Sequence, residues 1–531
     1  MRRRSGRRTE MTLMGSGVQA GSRPLMAATG VWHGPIGERI APVAAATSVA
    51  LAAGLLSSLV MPRGPVTALH GIVAISLGLA VGVVGGALRP TRWMLIPVLV
   101  GLALGVEAGR LGTLAPSLAV RFDTPYGIIA FALTRGVHAL LLVPAVVLGV
   151  LIGIVIARRI GHARDASRQR RPVGTSLLAI GVAGLALLVA WPASTPPVLD
   201  PDGQPIPGSI AELTTVRLGG ADQSIMIRAA DPADPVILYL AGGPGQSDLA
   251  LTRAVSGGWE QDFVWVGLDQ RGNGKSYPAI DPVSSMTVEQ AVADVVELSE
   301  YLRQRFDERR IYLMGESWGT ILGVLAVQQR PDLYYAWIPS GQMVDVRETD
   351  RRIYEDLVTY AEHAGDQALL AQLDAVGTPP YRDIPWANSN LLAWYEYLYR
   401  PYTPSPGYLE RGAAAGLDPF GVLGSEYDAI DKSNVLRGLI DTFALVYPQL
   451  YAIDLRAQAS RLEVPVYLLD GSAELAGRRD LALEWFAGLE APIKERVELP
   501  NAAHAPVFEQ ADDVQRFMNE VVVPTTYRVT D

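Results

Sequence analysis

The sequence contains no cysteine. That absence removes disulfides, Cys-ligated zinc and a thiol nucleophile, and it suits either redox compartment. Histidine is scarce too: the chain has 6, and beyond residue 200 only His363 and His504. Any histidine-dependent chemistry in that half rests on one of two side chains. The glycine-rich stretch "LYLAGGPGQS" at 238–247 lacks the G-x-x-x-x-G-K-[ST] form of a phosphate-cradling loop. Acidic residues are sparse at the amino-terminal end, where only Glu10 and Glu38 stand against Arg2, Arg3, Arg4, Arg7, Arg8, Arg23 and Arg39. The net charge of -9 is therefore unevenly spread, with most acids beyond position 200. Such a split predicts two halves with different surroundings.

What the chain does have is apolar sequence, 49% of its 531 residues. Five long stretches precede residue 192, at 40–61, 66–88, 92–109, 137–157 and 173–191. Each is close to the ~20 residues that a spanning helix needs. Their glycines and alanines allow close helix packing. This predicts a basic cytoplasmic tail over 1–39 and a transmembrane helical domain over 40–191. With the amino terminus inside, the inner loops hold the tail arginines, Arg89, Arg92 and the run "ARRIGHARDASRQRR" at 157–171. The outer loops hold only Arg63, Arg110 and Arg121, plus Arg135 at a helix edge. The positive-inside bias then puts everything after residue 192 outside the cytoplasm, and assigns the basic tail to topology rather than to nucleic acid. The first apolar span starts too late, and is followed by too many others, for a simple cleavable signal. Glu107 and Arg135 fall near the outer ends of their helices, where they either pair or reach to the interface.

Next comes "WPASTPPVLDPDGQPIPGS" at 191–209. Its prolines and lack of apolar periodicity predict an extended, semi-rigid linker over 192–210. From there the pattern alternates. "PVILYL" (235–240), "DFVWVGLD" (262–269), "VPVYLLDG" (464–471) and "KERVELP" (494–500) read as strands, the first three as buried ones. "TVEQAVADVVELSEYLRQRF" (287–306) has helical spacing, with Thr287 as N-cap and Gln290 at the third helical position. Alternation of this kind predicts a mostly parallel sheet with helices on both faces. It breaks off between 341 and 462, a helical, aromatic segment with Trp386, Trp394, Tyr395, Tyr397, Tyr399 and Tyr402. The core thus comes in two parts, 211–340 and 463–531, with a helical cap inserted between them over the strand C-termini.

The stretch "IYLMGESWGTILGVLA" at 311–326 carries the chemistry. An apolar strand runs into G-x-S-x-G and then into an apolar helix, the context of a nucleophile elbow. Gly315 and Gly319 are small because the turn leaves no room for side chains. Ser317 is lifted above the sheet, and the following helix offers backbone N–H groups to a developing oxyanion. The base is His504, in a short loop after the last strand, because His363 lies in the cap helix "TYAEHAGD". The acid belongs just past "PVYLLDG". Glu474 in "GSAE" is favoured over Asp470, which ends the strand, and over Asp480 in the next helix. It would hold the imidazole in one tautomer and stabilise its charge. Gly243 and Trp318 supply the oxyanion N–H groups.

"GGPG" (242–245), "DQRGNGKS" (269–276) and "GESWGT" (315–320), with the weaker "NAAHAP" (501–506), together resemble the α/β hydrolases around proline iminopeptidase, peptidase family S33. The resemblance covers roughly 213–525. It implies an α/β-hydrolase fold with Ser317 as nucleophile, His504 as base, and Gly243 and Trp318 as oxyanion donors. The chain departs from the family pattern at Ala241, where a histidine is usual, and at Glu474, where aspartate is usual. The resemblance implies an aminopeptidase, whose substrate ammonium needs a carboxylate; Glu316, Glu348 and Glu396 are candidates. The expected partners are a small peptide or ester and the bilayer, with no nucleic acid, metal or cofactor. An esterase or lipase with the same triad is the alternative. A transporter or sensor using the hydrolase fold as a binding module is a third reading.

Overall fold

The computed structural model describes residues 37–161, 173–255, 258–381, 383–384, 386–411 and 421–527. Residues 1–36 of the basic tail and 162–171 of the arginine-rich run lie outside the described residues. Six helices lead the described chain: α1 (Gly37–Val60), α2 (Ala68–Leu88), α3 (Leu95–Gly109), α4 (Pro125–Phe131), α5 (Val137–Gly161) and α6 (Val173–Ala190). Among the described residues they make 5 spans long and apolar enough to cross a membrane: Ile40–Val60, Ala68–Leu88, Arg92–Gly109, Pro125–Ile160 and Val173–Ala190. The fourth starts at Pro125 rather than at 137. Thr124 caps α4 by accepting from Gly127 N–H at 3.0 Å, and one π-helical turn, Ala132–Gly136, carries α4 into α5. The polar Thr134 and Arg135 in that turn hide the continuity of the helix from a reading of hydropathy alone.

Glycine sets how these helices pack. α2 lies along α5, and α1 along α3. A Cβ on Gly82 would sit 2.4 Å from the Val146 carbonyl oxygen, and one on Gly149 would sit 2.2 Å from that of Leu79. On the other pair, a Cβ on Gly105 would sit 2.2 Å from the Leu51 carbonyl oxygen. Backbones touch here because small residues recur every fourth position, as at Gly78, Gly82 and Gly86, which is how apolar helices associate without a hydrophobic drive.

The second half is built on one 8-stranded sheet in the order β1-β2-β4-β3-β5-β6-β7-β8. The strands are β1 (Ile210–Leu218), β2 (Ala221–Ala229), β3 (Val236–Leu240), β4 (Val264–Leu268), β5 (Ile311–Glu316), β6 (Tyr334–Ser340), β7 (Val466–Gly471) and β8 (Lys494–Leu499). β1 and β2 form an antiparallel hairpin, β2 pairs antiparallel with β4, and the remaining pairings are parallel. The buried strands β3, β4, β5 and β7 are continuous apolar runs, as expected for strands covered on both faces. One apolar cluster fills each side: Leu238, Val266, Leu313 and Trp337 on one, Tyr239, Trp265, Tyr312 and Tyr467 on the other. The helix Val288–Arg305 begins at Thr287, whose hydroxyl accepts from Gln290 N–H at 3.1 Å. Between β6 and β7 the chain is largely helical, including Val346–Ala364, Trp386–Tyr399 and Asp431–Val446.

The two halves meet on the helix Asp431–Val446. Arg437, 1% exposed, donates to the Arg63 carbonyl at 2.6 Å and to that of Pro65 at 3.3 Å, and its guanidinium lies over the Tyr277 ring. Asp441 is fully buried and accepts from Ser117 N–H and Ser117 Oγ, both at 2.7 Å, and from the Tyr277 hydroxyl at 2.5 Å. Asn434 donates to the Val66 carbonyl at 2.9 Å, and Arg63 pairs with Asp281 through two bonds of 3.0 Å. The proline-rich segment is held as well: Ser194 N–H donates to the Ser425 carbonyl, and Arg228 donates to the Pro196 carbonyl. The α1–α2 and α3–α4 connections therefore face the sheet domain, and Arg89 and Arg92 lie at the opposite ends of α2 and α3.

Asp441→Asn is expected to weaken this junction. All three donors converge on carboxylate oxygens, and an amide would turn one acceptor into a donor facing a donor. The expected cost is about 2–5 kcal/mol. Thermal unfolding of the detergent-purified chain checks it, with a Tm lowered by roughly 5 °C or more. An unchanged Tm would show that the junction adds no net stability.

Candidate active site

Three side chains converge at the carboxyl ends of the parallel strands, where open α/β sheets place their sites. The first follows β5. Ser317 has φ 52° and ψ -119°, and it caps the helix Trp318–Gln329. A non-glycine residue at positive φ is strained, and the packing around it leaves no alternative. A Cβ on Gly315 would sit 2.7 Å from the Gly319 carbonyl oxygen, and one on Gly319 would sit 2.2 Å from that of Leu240. Strand and helix thus pack backbone to backbone, and the serine between them is turned outward, half-buried.

His504 follows β8. Its Nε2 lies 3.0 Å from Ser317 Oγ, and its Nδ1 bonds to the Glu474 carboxylate. With Nδ1–H donated to a carboxylate, Nε2 is the unprotonated nitrogen that faces the Ser317 hydroxyl. The loop holding the ring is clamped by Glu509, which accepts from Ala503 N–H at 2.6 Å and from Ala505 N–H at 3.0 Å.

Glu474 lies past β7 in the turn that leads to the helix Ala476–Gly488. Its second oxygen accepts from Leu475 N–H at 2.7 Å and from the Tyr399 hydroxyl at 3.0 Å, with Arg478 at 3.4 Å. Burial alone would raise this carboxyl. The charges of His504 and Arg478 and the bond from His504 outweigh it and lower the pKa to about 2. Glu474 is thus an ionised partner for an imidazole throughout the neutral range. Asp470, at the end of β7, instead accepts from Arg496 at 2.6 Å, and Asp480 pairs with Arg479. His363 is exposed in the last turn of the helix Val346–Ala364.

The loop after β3 closes the other side. A Cβ on Gly242 would meet Ser317 Cβ at 3.3 Å, so the "GGPG" backbone runs directly past the serine. Gly243 has φ 115°, in the region that favours glycine. Trp318 is the first residue of the helix, and its backbone N–H is one of the four without an intrahelical acceptor. The "DQRGNGKS" segment holds these pieces together. Gln270 accepts from Trp318 Nε1 at 2.9 Å and donates to the Ala241 carbonyl at 3.0 Å. Asn273 donates to the Gln246 carbonyl at 3.0 Å, and Arg271 forms two 2.9 Å bonds to Asp294.

Of the three carboxylates considered for a substrate ammonium, Glu316 alone lies at the site. Its Oε1 is 3.7 Å from His504 Nε2. Burial pushes its pKa well up, and the neighbouring Asp248 adds to the rise. Glu348 is bound to Arg351 and Arg352, and Glu396 is exposed on the helix Trp386–Tyr399. The sequence reading did not find Gln270, Tyr399, Arg478 or Glu509. Only Gln270 carried a signal, its place in "DQRGNGKS"; the others lie near the site through the fold. Among the described residues no group of three or more histidine, aspartate or glutamate side chains is arranged to hold a metal ion.

The known proteins to which this chain is similar match its carboxy-terminal part. Residues 258–375 match the family model described as serine aminopeptidase, S33. A probable aminopeptidase of Bacillus subtilis is 28% identical over 304 residues, covering 57% of this chain and 93% of the relative. Among solved structures, a proline iminopeptidase-related protein from Thermus thermophilus is 19% identical with a TM-score of 0.41, covering 60% of this chain and 98% of its own. An α/β-fold hydrolase from Bacillus anthracis is 12% identical with a TM-score of 0.40, covering 58% and 99%. The carboxy-terminal half of the chain is an α/β-hydrolase enzyme similar to the S33 serine aminopeptidases over residues 258–375, and five apolar spans precede it among the described residues.

Proposed function

We propose that the chain is a membrane-anchored serine hydrolase that releases amino-terminal residues from short peptides outside the cytoplasm. The observation that carries the chemistry is the line Ser317–His504–Glu474 at the strand ends, with the serine on a strained elbow. Ser317 Oγ attacks the scissile carbonyl while His504 Nε2 takes its proton. Glu474 holds the Nδ1–H tautomer and stabilises the imidazolium. The oxyanion of the tetrahedral intermediate faces the N–H groups of Trp318 and Gly243. His504 then protonates the leaving amine, and water repeats the sequence on the acyl-enzyme.

The peptidase reading is supported by the S33 match, by the probable aminopeptidase relative, and by Glu316 beside the reacting centre. A substrate ammonium beside Glu316 would favour its ionised form, opposing the burial and the Asp248 charge that raise its pKa. The outward orientation is supported by the arginine bias. Arg89 and Arg92 lie at the helix ends remote from the sheet domain, and a spanning helix with its positive end inside leaves that domain outside.

Ser317→Ala is expected to lower turnover on the order of a million-fold with folding intact. Fluorophosphonate labelling checks the assignment, since labelling that persists in the alanine variant would remove Ser317 from its role. A panel of aminoacyl and acyl esters tests the substrate class. Glu316→Gln is expected to raise KM for aminoacyl substrates by roughly 10–100-fold, the worth of one charged hydrogen bond, relative to uncharged acyl esters. A preference for acyl esters that Glu316→Gln leaves unchanged would favour an esterase.

Glu474→Gln is expected to cut turnover by up to roughly ten-thousand-fold. Asp470→Asn, which loses only its bond to Arg496, is expected to lower Tm and leave turnover within a few-fold. The reverse pattern would make Asp470 the triad acid. Protease added to intact cells is expected to cleave the chain beyond residue 205; protection until lysis would reverse the topology.

A further inference from the structure

α3 and α5 enclose a cavity of about 230 Å³ lined by Leu99, Leu102, Ala103, Val106, Leu142 and Val143, with Glu107, Arg110, Arg135 and His138 at one end. A more open recess of about 430 Å³ continues from the same charged end under the loop 111–119. The charged end is built rather than incidental. Glu107 receives Arg110 at 3.0 Å and Arg135 at 2.7 Å, and Arg135 also donates to the Leu118 carbonyl. Two guanidinium groups share one carboxylate, so the cluster keeps an uncompensated positive charge.

It also keeps two unused donors. Arg110 NH2 lies 2.8 Å from His138 Nδ1. A guanidinium cannot accept, so Nδ1 accepts, and the proton of the neutral imidazole sits on Nε2. Among the described residues that Nε2–H has no acceptor, and neither does Arg110 Nε–H. His138 and Arg110 are 3% and 6% exposed, so water does not freely satisfy them. Leaving a buried donor unpaired is costly, and two beside one cavity call for an oxygen-rich acceptor. Below them the lining is entirely aliphatic, and Ala103, Ala139 and Val143 are exposed, so the cavity opens sideways on the face that the helices offer to lipid. A cavity of roughly 150 Å³ accommodates the six carbons of benzene, so a chamber of this size takes roughly nine carbons of one alkyl chain, the remainder lying along its lipid-facing opening.

We infer that this cavity binds a single-chain anionic amphiphile. The carboxylate or phosphate oxygens accept from His138 Nε2 and the Arg110 and Arg135 guanidinium groups, and the chain lies between α3 and α5. The site is separate from Ser317 and does not depend on the catalytic reading.

The test uses the full chain in phosphatidylcholine nanodiscs with a photoactivatable 16-carbon fatty acid, crosslinks being mapped by mass spectrometry. Crosslinks are expected on residues 99–106 and 138–143, and Ala103→Trp with Ala139→Trp should reduce them at least tenfold while Tm stays within a few degrees. If the double variant does not fold, Val143→Trp alone is expected to give the same loss. Unlabelled fatty acid and a single-chain phosphatidylglycerol are run as competitors, and the one effective at lower concentration identifies the headgroup. A fatty alcohol of the same length should compete at least tenfold less well. Crosslinks spread evenly over the lipid faces of α1 and α6, labelling unchanged by the tryptophans, or equal competition by the alcohol would each overturn the inference.

Discussion

The backbone of Ser317 is the constraint on which the rest of the catalytic half depends. A residue at φ 52° between a strand and a helix exists only if both elements approach to backbone contact. That approach requires glycine at 315 and 319, and it requires the Leu240 carbonyl of the neighbouring strand against Gly319. The order β3-β5-β6-β7-β8 then sets the other groups in place, because the loops after β3, β7 and β8 all emerge at the same edge as the elbow. Glu474 and His504 are far from Ser317 in sequence and within hydrogen-bonding distance of one another in space because parallel strands deliver their carboxyl ends to one side.

Electrostatics at the site follows from burial and from who neutralises whom. Glu474 is buried yet lowered to about 2, because His504 and Arg478 compensate it. Glu316 is buried on the Nε2 side of the same imidazole; burial and the Asp248 charge drive its pKa upward, outweighing Arg478. Two carboxyl groups beside one imidazole are thus set to opposite protonation tendencies by their neighbours. Asp470 shows the contrast: a strand-end carboxylate bound to Arg496 and serving the sheet.

The helical half and the sheet domain are joined through polar contacts as well as apolar ones, Ile430 packing with Ala74 and Val189, and Trp386 and Ile440 with Ala130. Arg437 caps carbonyls of the α1–α2 connection, and Asp441 gathers the donors of Ser117 and Tyr277. The same helix passes the active-site loops: a Cβ on Gly438 would sit 3.0 Å from the Gly245 carbonyl oxygen. The "GGPG" loop therefore rests on the element that holds the membrane half. Buried charged contacts of this type fix a relative placement, since any slip leaves donors or carboxylates unpaired.

Much of this was legible in the sequence. Spans of nearly uncharged residues announce helices for a bilayer because hydrocarbon tolerates little else. The strand–G-x-S-x-G–helix pattern announces the elbow, because steric crowding permits only glycine two residues to either side of such a serine. The histidine followed by elimination, there being only two in that half. Strands β1, β2 and β6 were not singled out, since β1 and β2 alternate only partly and β6 contains Pro339, which argues against a central strand. The early start of the fourth span was hidden by polar residues that turn inward only in the folded bundle. What tertiary structure alone decided is which distant groups meet: Glu474 rather than Asp470 on His504, Gln270 on Trp318, Asp441 on Ser117, and Arg110 on His138. Local sequence fixes dihedral preferences and apolar periodicity. Pairings across tens or hundreds of residues depend on strand order and helix packing, which no short segment encodes.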